Sequence, residues 1–190
     1  LHRDLRRQRQ MCIRDSPEVI RGINAFATGV KEVNPDATVE VVWTFTWFGP
    51  EAETQAANAL LETGVDVLAQ HQDSPSTGIA AEAAGAKWIS YNTAYGQDAA
   101  PGAFVTAPVW DWGPYYVQVV ESIVNDEFVA EAYWGGMETG LVSLYELSSD
   151  VPADTATLIS ERTEEIISGS FDPPIVEDEF IDNVIGTVNP

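Results

Sequence analysis

One order of events recurs along this chain and constrains its fold more than any other feature. A short apolar run meets a Gly-Pro or Ser-Pro step, and a helix-length segment follows that a glycine closes. TFTWFGP (44–50) leads into a segment running to about Thr63 and ended by Gly64. VDVLAQ (65–70) is followed by Ser74-Pro75 and a segment ended by Gly85, and then comes the next apolar run, Lys87 to Tyr91 (KWISY). Proline suits a first helical turn because the N–H it lacks is one the helix leaves unpaired, and glycine suits the left-handed residue past the last turn. Upstream, Ser16-Pro17-Glu18 opens a helix with Val19, Ile23, Phe26 and Val30 on one face, stopped at Asn34-Pro35.

The intervening runs read as strands. Thr38 to Thr46 is β-branched and aromatic, with Trp43 and Phe45 alternating with Val39 and Val41 as core positions. After the irregular stretch NTAYGQDAAPG comes a strand from Ala103 to Val109, then a helix from Gly113-Pro114 bearing Tyr116, Val120, Ile123 and Val124. AYWGGMETGLVSLYEL reads as two extended pieces around Gly135-Gly136, and Asp150 to Ser168 as an amphipathic helix with Leu158, Ile159, Ile166 and Ile167 inward. Alternating strands and helices with short connections mean an α/β fold built on a parallel, doubly wound sheet. Such sheets take ligands outside the carboxyl ends of their strands. That rule singles out TFTWFGP, QHQDSPS, SYNTAY and PVWDWG.

Charge narrows the partners. Residues 1–16, LHRDLRRQRQMCIRDS, carry five of the nine basic residues, the single cysteine and His2. This stretch has no apolar centre, so it is no signal peptide. MCIRDS resembles translated adapter read-through, so residues 1–16 are read as a non-native basic tail and the chain as truncated at its N-terminus. Residues 17–190 then hold four basic and twenty-eight acidic residues, a net charge of −24. Such a surface repels phosphate backbones and anionic lipid, which argues against nucleic acid as a partner. No apolar run is long enough to span a membrane.

Chemistry at the strand ends is sparse. His71, Asp73 and Ser74 hold the elements of a hydrolase triad but lie within four residues of one turn, where relay geometry is out of reach. A single body histidine beside Asp73 makes a poor metal site, and Ser74 reads as a helix cap. No phosphate-cradling glycine pattern occurs after a strand. Catalytic residues, metal and cofactor are therefore all read as none. The positive signal is aromatic. Trp47 and Phe48 follow one strand, and Trp110 follows another with Asp111 and Trp112 beside it. A stacked base is worth about 1–3 kcal/mol per aromatic contact, against about 8 kcal/mol for micromolar affinity.

Several runs carry a resemblance: GINAFATGVKEVNPDATVEVVWTFTWFGPEAE, GVDVLAQHQDSPSTGIAAEAAGAKWISYN, VTAPVWDWGPYY and YWGGMETGLVSL. Over roughly residues 17–172 they resemble the basic membrane protein family, substrate-binding lipoproteins of ABC transporters, many of which bind purine nucleosides or nucleobases. More distantly the chain is similar to ribose-binding proteins, where an AQN turn stands in place of Ala69-Gln70-His71. The resemblance implies a type I periplasmic-binding fold whose two lobes close on a solute. It assigns residues 17–107 to the second lobe, 108–130 to a crossover and a first-lobe helix, 131–172 to the return, and 173–190 to an acidic C-terminal segment. It places Trp47 where the family carries a stacking ring and His71 to Ser74 at the ligand-facing turn. Asn92 stands where the family has an aspartate that grips ribose, and Trp110 where it has a lysine.

These departures favour a purine base over a nucleoside. The expected ligand contacts are Trp47, Phe48, His71, Gln72, Asp73, Asn92, Trp110 and Asp111. The expected partners are a purine-like small molecule and a permease, with a lipid anchor upstream of this chain holding it in the periplasm or at the cell surface. Alternatives are the ligand-sensing domain of a regulator with the same fold, a receptor for a sugar-like solute, and a nucleoside hydrolase.

Overall fold

The computed structural model describes residues 16–173, 175 and 176, and the backbone of 185–187. The basic stretch 1–16, Ser16 apart, and most of the acidic segment 173–190 lie outside the described residues. In chain order the elements are α1 (Pro17–Val33), β1 (Val39–Val41), α2 (Pro50–Thr63), β2 (Val67–Ala69), α3 (Ser76–Ala84) and β3 (Lys87–Ile89). Then follow the short α4 (Gly96–Ala99), β4 (Phe104–Thr106), β5 (Pro108–Trp110), α5 (Gly113–Val124), a 3₁₀ turn (Met137–Thr139), β6 (Val142–Leu144), α6 (Ala153–Ser168) and β7 (Ile185–Thr187).

Strands β2, β3 and β4 form a parallel sheet in that order, with Leu68 opposite Trp88 and Trp88 opposite Phe104. β1 pairs in parallel with β7. β4 and β5 are one extended length broken only at Ala107. Its first half pairs with β3 and its second half runs antiparallel to β6. Beyond the ladders, the 142–148 segment stays fastened along this length. The Tyr145 N–H donates to Ala107 O, the Ser148 N–H donates to Val105 O, and the Thr106 hydroxyl donates to Tyr145 O.

The core sits where α2 and α3 cover β2–β4. It gathers Ala57, Leu68, Ala81, Ala86, Trp88, Ala100, Ala103, Phe104 and Ala107. So many alanines make sense around one large ring, because Trp88 occupies the space that bigger helix residues would need. Its edge meets Phe104 in a T-shaped pair at 6.0 Å, and its indole N–H donates to Gln70 Oε1 at 3.0 Å.

Three expectations need correction. The strand expected over 38–46 closes after Val41. The hydroxyls of Thr44 and Thr46 donate to the carbonyls of Thr46 and Phe48, and Phe45 takes a left-handed φ of 55°, so hydroxyl-to-backbone bonds replace a ladder. Phe45 is consequently 48% exposed rather than core, and Trp43 is half-buried. The third correction concerns α6. Leu158 and Ile167 are 44% and 50% exposed, and Ile159 and Ile166 are only half-buried, although the 3₁₀ turn at Met137–Thr139 packs against α6.

Candidate functional site

The carboxyl ends of β2 and β3, with the loop before α2, bring three ring-bearing residues into one group. Trp47 lies 5.9 Å from His71 between ring centroids, and His71 lies 4.1 Å from Tyr91. The Tyr91 hydroxyl is 2.8 Å from His71 Nε2, and Glu18, from the first turn of α1, stands 4.0 Å from the same nitrogen. Asn92 follows directly. Its φ of 58° is left-handed, a conformation asparagine tolerates better than most residues, and its backbone bridges in parallel to Val109.

The turn that presents His71 is built from below. The Gln70 side-chain amide donates to the carbonyls of Gln72 and Ser74 at 2.7 and 2.8 Å, while its oxygen receives the Trp88 indole N–H. The Asp73 N–H donates to Trp47 O at 2.9 Å, which ties the two loops together. A second tie is Glu53, only 1% exposed, whose carboxylate accepts from the Gly49 N–H at 2.9 Å and the Ser74 hydroxyl at 2.5 Å. Buried carboxylates need such partners, because an unpaired one costs several kcal/mol. Gln72 Nε2 donates to the Thr44 hydroxyl at 3.0 Å, so this side chain braces the loop.

Electrostatics favour neutral groups here. Burial lowers the His71 pKa below its ordinary value, against the opposing pull of Glu18 and then Asp73. Burial, with the nearby carboxylates, pushes the Tyr91 phenol up to about 12. The Ser74 hydroxyl bonds Glu53 and Ser76, not His71, so Ser74 and His71 do not form a nucleophile–base pair. Among the described residues, no group of three or more His, Cys, Asp or Glu is placed to hold a metal ion.

The remaining expected contacts fall elsewhere. Trp110 joins a second aromatic group, 5.5 Å from Trp112, which in turn meets Tyr115 and Tyr116. Tyr115 stacks on Tyr133 at 4.2 Å. The two groups communicate through backbone, by the Asn92–Val109 bridge one residue before Trp110. Asp111 accepts the Gly113 N–H at 3.0 Å and so serves the start of α5. Phe48 is exposed without a ring neighbour among the described residues, and Asp73 is exposed beside His71. Two members of the site were missed in the sequence, Tyr91 and Glu18. Tyr91 lies just past β3 at a strand end, and that position was its signal. Glu18 looked like an ordinary first-turn acid, and nothing in the sequence marked it out.

This is an α/β architecture with rings and amide edges where parallel strands end. The family model for Bmp, described as ABC transporter substrate-binding protein PnrA-like, matches residues 12–172, and the chain belongs to that family. It is 40% identical over 156 residues to "Putative ABC transporter glucose-binding protein TsgA13" of Haloferax volcanii, covering 82% of this chain and 40% of that protein. It is 37% identical over 162 residues to "Purine-binding protein BAB2_0673" of Brucella abortus, covering 83% and 44%. The chain thus spans about two fifths of the length of these relatives. Solved structures share the fold. One is an ABC transporter solute-binding protein from Conexibacter woesei (TM-score 0.64, 23% identity, 77% of this chain and 50% of that one). Another is a transcriptional activator of the comK gene from Bacillus halodurans (TM-score 0.70, 22% identity, 78% and 53%).

Proposed function

We propose that this chain is the solute-capturing part of an extracytoplasmic ABC-transporter receptor, which holds a flat, purine-like heterocycle and passes it unchanged to a permease. The observation that carries the reading is the Trp47–His71–Tyr91 wall, its rings 5.9 and 4.1 Å apart, with Asn92 beside it at the ends of parallel strands. Rings supply stacking and the amide supplies edge recognition, a combination suited to a heterocycle. In this reading Phe48 and Asp73 flank that wall and Gln72 braces it, while Trp110 and Asp111, in the second group, meet the solute from beyond the Asn92–Val109 bridge. Capture ends with closure of a partner lobe, to which residues 108–130 contribute, and a lipid anchor outside this chain holds the receptor at the membrane. Support for the two-lobe arrangement comes from α5, which buries none of its side chains here.

A sugar solute is the second reading, favoured by the name of the Haloferax relative. Calorimetry of the chain against adenine, adenosine and glucose separates the two. Adenine binding is expected, and Trp47→Ala should weaken it by roughly tenfold or more, the loss of one stacked ring. Affinity for glucose alone, or unchanged adenine binding in Trp47→Ala, would overturn the assignment.

A further inference from the structure

The two halves of the ring wall are held by different means. His71 and Tyr91 each lie two residues past a ladder pair, Ala69 opposite Ile89 in β2 and β3, so the parallel sheet sets their spacing. Trp47 has no such support, because β1 ends at Val41 and its loop is fastened only by separate bonds. Two of these sit on either side of Phe48. The Asp73 N–H donates to Trp47 O at 2.9 Å, and the Gly49 N–H donates to one carboxylate oxygen of Glu53 at 2.9 Å. The other carboxylate oxygen accepts the Ser74 hydroxyl at 2.5 Å. Ser74 has one hydroxyl proton, which this bond uses, and its oxygen accepts the Ser76 N–H at 3.3 Å at the start of α3. The Glu53 N–H in turn donates to Gly49 O at 2.9 Å, so Glu53 grips Gly49 at both of its backbone groups. Two consecutive residues of the turn after β2 thus hold two points of the Trp47 loop. One rung alone would let the loop swing about it, whereas two fix its angle.

We propose that Glu53 is a positioning residue for the solute, setting the Trp47 ring against His71. At 1% exposed it has no surface to offer a solute, so it acts through Trp47. Its effect on affinity rests on the receptor reading above, whereas the placing of the ring does not. Gln72 reaches the same loop at Thr44, three residues short of the ring, by a bond only partly buried. The Glu53–Ser74 bond is fully buried, where a charge-assisted bond is stronger.

The ring placement is tested by NMR on the chain with labelled histidine and no solute, where His2 is the only other imidazole. In the unaltered chain the His71 ring should show nuclear Overhauser contacts to both Trp47 and Tyr91. Glu53→Ala should lose the Trp47 contact and keep the Tyr91 contact. Glu53→Gln, which retains an oxygen for the Gly49 N–H and the reach to Ser74, should keep both. Ser74→Ala cuts only one of the ties and should show the same selective loss, which covers a Glu53→Ala chain that does not fold. Calorimetry with adenine reads the consequence. Glu53→Ala, or Ser74→Ala in its place, should weaken binding by roughly tenfold, as Trp47→Ala does. In a Trp47→Ala background the same change should add less than about twofold, because no ring is left to position. A Trp47 contact that survives both variants, loss of both contacts together in Ser74→Ala, or losses that add in the double variant would overturn the proposal. No adenine binding by the unaltered chain would count instead against the receptor reading, and the ring contacts would still decide the role of Glu53.

Discussion

At the scale of single residues, Trp88 is held by two side chains that are not there. A Cβ added at Gly78 would lie 2.2 Å from its ring, and one at Gly96 would lie 2.3 Å away. Real carbon atoms do not approach so closely, and the ring is fully buried beneath α3 with its N–H committed to Gln70. Gly78→Ala gains about 1 kcal/mol of helix propensity but forces the ring aside, and overpacking of this kind costs about 1–3 kcal/mol. A net loss of stability in urea titration is expected; a neutral or stabilised variant would show that the ring can yield. The same displacement pulls on Gln70, which holds the carbonyls of Gln72 and Ser74, so the damage should reach the turn presenting His71.

Among the elements, the helices show how far the sequence could be read. Proline starts and glycine ends put α2 and α3 within about two residues of their expected limits, because both residues act through their own backbone. Burial was legible only where a neighbour exists to provide it. α6 carries an apolar stripe at helical spacing, yet that stripe is half-buried at most, and periodicity states a preference rather than a partner. The 38–46 segment failed for a local reason, the threonine hydroxyls that compete for backbone carbonyls. At the site, Trp47, His71 and Asn92 were readable from strand ends, whereas Glu18 arrives from a helix fifty residues upstream by packing that no local pattern encodes. The open helix faces give a direct expectation. Val124→Lys on α5, at a position 76% exposed, should change stability by no more than about 0.5 kcal/mol, and it should reduce binding of a hydrophobic dye. A loss of several kcal/mol would mean that α5 is covered in solution.

For the whole molecule, charge is the dominant quantity. The chain carries a net −21 at pH 7, and only nine lysines and arginines stand against thirty acids. The described ion pairs engage few of these acids: Lys87 with Asp150, and Arg162 with Glu32 and Glu165. Most acidic groups therefore repel one another across solvent, and added salt shortens that repulsion from about 10 Å at 0.1 M to about 3 Å at 1 M. The melting temperature should rise by several degrees over that range of sodium chloride, as read by calorimetry, whereas a fall would place attractive pairs above self-repulsion.

The single extended length from Phe104 to Trp110 has a mechanical corollary. It is fastened on one margin to β3 and on the other to β6, and Asn92 is pinned to it at Val109. The gap between Asn92 and Trp110 is thus gauged by main-chain rungs instead of rotamers. Any molecule that spans the two meets a jaw of preset opening, and repacking neighbouring side chains would not widen it.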